Sequence, residues 1–228
     1  MKYNVFVPEE KIEKKPAWSY ELTEQKLKTL PDPDPMTEPG FWAAFMIFSY
    51  ALNARQGEPF SITQQSIEYE GNSPDIIRIT ILTEKLGTNH PQRYRTIPLD
   101  SGVSSFEKWL VEKIKLYQSK IPPGDTAFFK DIGFATDYNI NTLLRYARRN
   151  ANKLFKVNHH FLRHCRLTHY VKNFGYNTYE LQQVAGWRDI RTSLWYVRMQ
   201  TKDLEDKLAN LKITGLRSYS KKTEVVDK

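Results

Sequence analysis

The stretch from Phe41 to Ala54, FWAAFMIFSYALNA, is apolar on nearly every side when it is wound as a helix. A helix that is apolar all round is stable in water only when other elements cover it on every side. The stretch contains Asn53 and falls short of the ~20 apolar residues that a membrane span needs. We therefore expect a globular domain built around one central buried helix.

Helical and strand-like patterns both surround this segment. Apolar residues recur at helical spacing at 20–30, 104–118, 139–155, 159–174, 179–187, 190–199 and 201–212. Asp75–Leu82 and Arg93–Leu99 are rich in β-branched residues and are joined by TEKLGTNHPQ, which predicts a hairpin. The expected fold class is α+β, mostly α, with a small antiparallel β hairpin or sheet.

A composition shift marks the domain boundaries. The proline- and acid-rich PDPDPMTEPG indicates a linker or turn rather than a regular element. We therefore divide the chain into an N-terminal extension or linker (1–38), a main domain (39–212) and a polar C-terminal tail (213–228).

The charge balance indicates the class of partner. The chain has 34 Lys and Arg against 26 Asp and Glu, a formal net charge of +8, and an isoelectric point near 9.4. Such an excess suits a polyanion, and an isoelectric point above about 9 is typical of nucleic-acid-binding domains. The single cysteine, Cys165, excludes an internal disulfide and a zinc site built from several cysteines. The N-terminus turns acidic too early for a secretory signal, so we expect a cytoplasmic or nucleoid-associated protein with no membrane partner.

His160 and Arg163 are the first candidate functional residues. On a helix, residues three apart lie on one face, so an imidazole and a guanidinium would point into the same region. A phosphodiester under attack needs such a pair, because Arg grips phosphate oxygens and His can accept or share a proton. Taken alone, the pair is better explained as the basic face of a helix in a basic protein.

Three other segments provide residues of related chemistry. Arg55-Gln56-Gly57-Glu58 ends the buried helix, Lys85 lies in the hairpin turn, and Gly186-Trp187 is followed nine residues later by Tyr196. Together with His160-Phe161-Leu162-Arg163-His164, and in this order, the segments resemble the tyrosine recombinase family, which includes phage-type integrases and Xer-like resolvases. The resemblance covers about residues 40–200 and identifies 39–212 as a catalytic domain of that kind.

The resemblance implies a site-specific recombinase that cuts and rejoins double-stranded DNA through a 3′-phosphotyrosyl intermediate, with no cofactor and no metal. It assigns six catalytic residues, namely Arg55, Lys85, His160, Arg163, Trp187 and Tyr196.

The implied roles follow the charge and the protons of the reaction. Arg55 and Arg163 would clamp the non-bridging oxygens, and Trp187 would donate its indole N–H to the phosphate. Tyr196 would be the nucleophile, because an aryl phosphodiester conserves the bond energy for rejoining. His160 would accept or organise the tyrosine proton, and Lys85 would protonate the departing 5′ oxygen.

Further residues are expected around this set. Glu58 would orient Arg55, and His164 would be structural or face the phosphate. Four basic residues of segment 139–155 are candidates for contact with the DNA backbone, although a solvated helix face is the alternative: Arg145, Arg148, Arg149 and Lys153.

The helix at 201–212 resembles one that relatives dock on a neighbour, which implies a homo-oligomer on DNA. Packing on its own subunit is equally permitted. Because only about 40 residues precede the pattern, the N-terminal DNA-clamping domain of most relatives is not expected within these residues.

Three rival functions stay open at this level. A type IB topoisomerase would use the same chemistry on one strand at a time. A non-catalytic DNA-binding relative would keep the fold and lose the activity, although the set of six residues contains no gap. A basic RNA-binding or scaffold protein would make the ordered motifs a coincidence.

Overall fold

The computed structural model describes residues 16–70, 73–83, 93–124 and 126–197. Within these ranges the helices are α1 (Tyr20–Lys28), α2 (Glu38–Ala51), α3 (Ser105–Ser119), α4 (Ile140–Phe155), α5 (His159–Lys172), α6 (Thr178–Ala185) and α7 (Arg191–Val197). The strands are β1 (Ile67–Glu70), β2 (Ser73–Leu82) and β3 (Tyr94–Asp100). Lys85, the helix expected at 201–212 and the tail at 213–228 lie outside the described residues.

Helix α2 is the centre of the fold, which confirms the prediction from its sequence. Every residue from Gly40 to Ala51 is buried, and the helix packs against α3, α4 and α5. Its start is fixed by Thr37, whose side chain accepts a hydrogen bond from the Gly40 amide. The functional segments that follow α2 and lie on α5 are therefore anchored to the most buried part of the molecule.

The sheet has three antiparallel strands in the order β1-β2-β3. The predicted hairpin of β2 and β3 is confirmed, with Ile79 opposite Ile97 and Ile77 opposite Leu99 on the face that packs into the core. Strand β1 was not predicted. Its four residues, IEYE, include two glutamates and no apolar run, so pairing with β2 rather than intrinsic preference defines it as a strand.

Part of the segment assigned to the N-terminal extension packs on the domain. Leu27 of α1 is fully buried, and the Trp18 ring meets Phe155 and Phe161 edge to face. Residues 1–15 lie outside the described residues. The proline-rich composition of 31–40 led us to divide the chain at residue 38. The packing does not show a division there, because apolar side chains before this segment reach the core.

Helix α6 begins at a capping box and ends at a glycine. Asn177 accepts hydrogen bonds from the Tyr179 and Glu180 amides, and Glu180 accepts one from the Asn177 amide, which is a capping box. Gly186 ends the helix in the left-handed region with φ of 61°. None of the helices in the described part of the chain has the length and apolar character needed to cross a membrane.

A buried ion pair joins α3 to α5. Arg166 is 2% exposed and donates to both carboxylate oxygens of Glu107, at 2.5 and 2.8 Å. Its guanidinium carbon lies 4.6 Å from the centre of the Tyr170 ring. Burial alone would raise the pKa of Glu107, but the charge and hydrogen bonds of Arg166 lower it. Arg166, which interrupts the apolar face of α5, is therefore paired with the buried carboxylate of Glu107.

We expect Glu107→Gln to lower the free energy of unfolding by about 3 kcal/mol, because it leaves the Arg166 charge buried without a counter-ion. Urea denaturation monitored by circular dichroism measures the change. The control is Asp32→Asn, which removes the exposed ion pair with Lys113 and should leave the stability nearly unchanged. A Glu107→Gln variant as stable as this control would show that the pair contributes little.

Candidate active site

Glu58 lies at the centre of a cluster of arginines just after α2. The residue is 1% exposed, in a short turn of 3-10 helix at Glu58–Ser61. Its Oε1 accepts from Arg55 Nη1 at 2.8 Å, and its Oε2 accepts from the Arg55 amide at 2.6 Å. The short Arg-x-x-Glu spacing thus folds the arginine side chain back over the carboxylate.

Arg95 of β3 is the second partner of Glu58. It donates to both carboxylate oxygens, from Nη1 at 3.0 Å and from Nη2 at 2.7 Å. Arg95 is absent from the predicted site, but the sequence carries a signal for it. In YRTIPLD every second residue is buried, so Arg95 faces the core beside Ile97 and Leu99 and needs a counter-ion there.

Arg163 of α5 is the third arginine near this carboxylate. Its Nη1 is 3.9 Å from Glu58 Oε2 and donates to the backbone carbonyl of Asn53. Its Nη2 donates to the carbonyl of Ala185 at 2.7 Å. The side chain is 2% exposed, so Arg163 joins the end of α2 to the end of α6 from within the core.

Three guanidinium groups therefore converge on one carboxylate. Burial alone would raise the pKa of Glu58, but the hydrogen bond and charge of Arg95, with the charges of Arg163 and Arg55, lower it to about 2. Burial and the charges of Arg95 and Arg55 lower the pKa of Arg163 to about 9. At neutral pH all four groups are charged, and the cluster has a surplus of positive charge suited to an anion.

Trp187 and Tyr196 lie next to this cluster. Their rings stack with centroids 5.3 Å apart, and the Arg163 guanidinium carbon lies 5.8 Å from the centre of the Trp187 ring. Burial raises the pKa of Tyr196 to about 12, with the charge of Arg163 opposing part of that rise. The phenol is therefore protonated at neutral pH and needs a proton acceptor before it can attack.

The two candidate histidines of α5 lie on the Tyr196 side of the site. Nδ1 of His164 is 3.4 Å from the Tyr196 hydroxyl, a long hydrogen bond. His160 is exposed and lines the same cavity of about 670 Å³ as His164 and Tyr196. Its neighbour His159 is buried and bonds Ser49 Oγ, and burial lowers its pKa to about 3, so it is a neutral core residue.

The basic residues of α4 differ in their distance from the site. All four candidates are exposed, and none belongs to the buried stripe of Leu143, Ala147, Ala151 and Phe155: Arg145, Arg148, Arg149 and Lys153. Arg148 alone among these four lines the cavity beside Tyr196. Its Nε donates to the side chain of Gln56 at 2.8 Å, which ties it to the segment that carries Arg55.

Five of the six predicted catalytic residues thus lie around one region, with Lys85 outside the described residues. Arg55, Arg163 and Trp187 belong to the arginine cluster and its edge. His160 and Tyr196 line the adjoining cavity. The predicted partner of Arg55, Glu58, holds three arginines instead of one.

Comparison with known proteins gives matches among solved structures. No protein-family model matches the chain, and no curated protein sequence matches it. The XerH site-specific recombinase bound to difH substrate is 16% identical with a TM-score of 0.55, over 85% of this chain and 52% of that chain. XerA recombinase is 18% identical with a TM-score of 0.54, over 86% and 65%. The Tn1549 transposon integrase in complex with transposon right end DNA is 16% identical with a TM-score of 0.55, over 90% and 68%.

This chain spans about half the length of the XerH chain that it matches. Identities below 20% relate folds, and function has to be argued from the site itself. The chain is mostly helical with one three-stranded antiparallel sheet, and the matches cover 85–90% of it. The chain therefore has the fold of a tyrosine recombinase catalytic domain.

Proposed function

We propose that this protein is a site-specific DNA recombinase that cuts and rejoins double-stranded DNA through a bond between Tyr196 Oη and a DNA phosphate. The observation that carries the proposal is the surplus of positive charge at Arg55, Arg95 and Arg163, directly beside the stacked Trp187 and Tyr196. The nucleic-acid-bound state of the XerH and Tn1549 structures supports DNA as the partner.

The electrostatics suit phosphoryl transfer. A phosphodiester gains negative charge as its phosphorus becomes pentacoordinate, and fixed positive groups stabilise that gain. Arg55 is 16% exposed and is the member of the cluster that can reach a phosphate oxygen directly. Arg163 is nearly inaccessible in this structure, so a phosphate would contact it only after Trp187 or Tyr196 moves aside. Until then its charge acts through space.

The bond changes balance without a cofactor. The Tyr196 oxygen forms a bond to phosphorus, and the bond from phosphorus to the 5′ oxygen breaks. The phenol proton passes to an imidazole, with His160 in the proposed role of acceptor and His164 holding the hydroxyl. Lys85 is proposed to supply the proton that the 5′ oxygen takes up. Attack by the resulting 5′ hydroxyl on the phosphotyrosine reverses these steps on a new partner strand.

The wider assembly is part of the same proposal. Residues 39–212 are proposed as the catalytic domain, joined by the α1 segment that packs on it. The helix expected at 201–212 is proposed to dock on a second copy of the chain on DNA, as recombination between two sites needs more than one active site.

A covalent trapping experiment tests the proposal. The protein is incubated with a pool of nicked genomic DNA fragments, in which loss of a short strand after cleavage prevents rejoining. We expect a protein–DNA band that resists denaturant, with the adduct mapped to Tyr196 by mass spectrometry of the nuclease-digested band. DNA binding without any such band would favour the non-catalytic relative. Relaxation of supercoiled plasmid without recombinant product would favour the topoisomerase.

A further inference from the structure

Arg95 is a buried arginine that the predicted catalytic set does not include. We propose that Arg95 is a positioning residue that sets the relative placement of the three chain segments that contain Arg55, Thr83 and Trp187. The inference rests on the proposed function, because it concerns how the same site is assembled. Arg95 makes one contact with each of these segments.

The first contact is with the segment of Arg55. Oε1 of Glu58 accepts from Arg55 Nη1 at 2.8 Å and from Arg95 Nη1 at 3.0 Å. Oε2 accepts from the Arg55 amide at 2.6 Å and from Arg95 Nη2 at 2.7 Å. Each oxygen of the Glu58 carboxylate thus bonds both Arg95, which belongs to a strand, and Arg55. A bidentate arginine fixes the plane of a carboxylate, which a single bond does not.

The second contact is with the base of the hairpin turn. Arg95 Nη1 donates to Thr83 Oγ1 at 3.3 Å, and the Thr83 amide bonds the carbonyl of Arg93 at 2.7 Å. Thr83 directly follows β2 and precedes Lys85 by two residues in the sequence. The guanidinium that bonds Glu58 therefore also holds the end of the segment that leaves β2.

The third contact is with Gly186, the residue before Trp187. A Cβ at Gly186 would lie 3.0 Å from Arg95 Cδ, 3.2 Å from its Nη1 and 2.8 Å from Thr83 Cγ2. Gly186 also has φ of 61°, so both the backbone and the close approach of Arg95 require glycine here. Its carbonyl accepts from Arg55 Nη2 at 3.5 Å, which closes the link back to the first segment.

Arg95 acts through these neighbours rather than on DNA. Its side chain is 5% exposed, and both terminal nitrogens bond protein atoms. Its Nε is buried with no hydrogen-bond partner, an unfavourable arrangement for a residue whose only role is stability. Its bonds to Glu58 and Thr83 instead join side chains of two separate chain segments.

The test compares Arg95→Met and Arg95→Lys with Leu99→Ala, which removes a buried side chain from the same face of β3. All are assayed with the trapping pool at a temperature where each is folded. We expect Arg95→Met to slow adduct formation on the order of 100-fold, as misplaced catalytic groups do. Its non-covalent affinity for DNA should fall much less than the adduct rate, because Arg95 supplies one charge of the cluster but does not touch the DNA. Arg95→Lys should recover part of the rate, since one of the two bonds to Glu58 can form.

A second readout needs no DNA and separates loss of the Arg95–Glu58 ion pair from loss of buried packing in β3. Removal of the Arg95 charge should raise the pKa of Glu58 toward its unfolded value of 4.5, so the stability that is lost between pH 4.5 and 2 should be smaller in Arg95→Met, and its loss should be complete at a higher pH. Leu99→Ala should lower the melting temperature at every pH. It should leave the acid limb, the fall in stability between pH 4.5 and 2, unchanged.

Equal adduct rates in Arg95→Met and the wild-type chain would overturn the positioning role while leaving the proposed function intact. The positioning role would also be overturned if Leu99→Ala lowered the adduct rate as much as Arg95→Met does. An acid limb in Arg95→Met equal to that of the wild-type chain would overturn it as well. No adduct with the wild-type chain would overturn the proposed function, and the positioning role with it.

Discussion

Tyr196→Phe is expected to abolish the covalent protein–DNA adduct completely. The variant keeps the ring that stacks on Trp187 and removes only the hydroxyl that lies 3.4 Å from His164. Without that oxygen no bond to phosphorus can form, whereas the arginine cluster and its affinity for phosphate are unchanged. Loss of one long hydrogen bond should alter the free energy of unfolding by about 1 kcal/mol or less. Denaturing gel electrophoresis of the trapping reaction measures the adduct, and urea denaturation measures the stability.

Tyr179→Phe is the matched control for this prediction. Tyr179 lies on α6 with 67% of its surface exposed, so its hydroxyl is accessible but is not part of the site. Adduct formation in this variant should equal that of the wild-type chain. An adduct that persists in Tyr196→Phe would mean that another tyrosine is the nucleophile, and the mapped peptide would identify it.

The sequence predicted the elements of this fold better than the contacts of its site. The apolar helix and the hairpin depend on residues that are close in the chain, and both are present, although the helix runs over Glu38–Ala51 and not over 41–54. Helical spacing likewise put His160 and Arg163 on one side of α5. It did not indicate that His160 is exposed while Arg163 is buried, because this difference depends on where α2 and α6 cover the helix.

The pairing of Arg95 with Glu58 could not be predicted from neighbouring residues in the sequence. The alternation in β3 turns Arg95 toward the core, but its partner lies 37 residues earlier and outside the hairpin. The predicted pair of Arg55 and Glu58 is three residues apart and is present. The same carboxylate also lies beside Arg95 and Arg163, because the sheet and α5 pack around the end of α2. Spacing along the chain does not predict that packing.

Glu58→Gln is expected to be the most damaging substitution for the structure of the site. It keeps the shape of the side chain but removes the one carboxylate around which Arg55, Arg95 and Arg163 converge. The amide NH₂ of glutamine would also face guanidinium donors where an acceptor is needed. We expect a loss of roughly 3–5 kcal/mol in the free energy of unfolding, typical of a buried ion pair with one partner removed, and no detectable DNA adduct. Urea denaturation and the trapping assay measure the two effects.

The pH dependence of stability gives this prediction a second signature. Because the pKa of Glu58 lies at about 2 in the folded chain and at its usual 4.5 in the unfolded one, its ionised form favours folding above pH 4.5. That contribution is lost as the pH falls from 4.5 toward 2. Glu58→Gln should lack this part of the acid limb, whereas Glu70→Gln, which removes an exposed pair with Arg78, should retain it and lose under about 1 kcal/mol. A stable Glu58→Gln variant with a wild-type acid limb would mean that the three arginines are held apart by the surrounding backbone carbonyls, and that the carboxylate is not what organises the site.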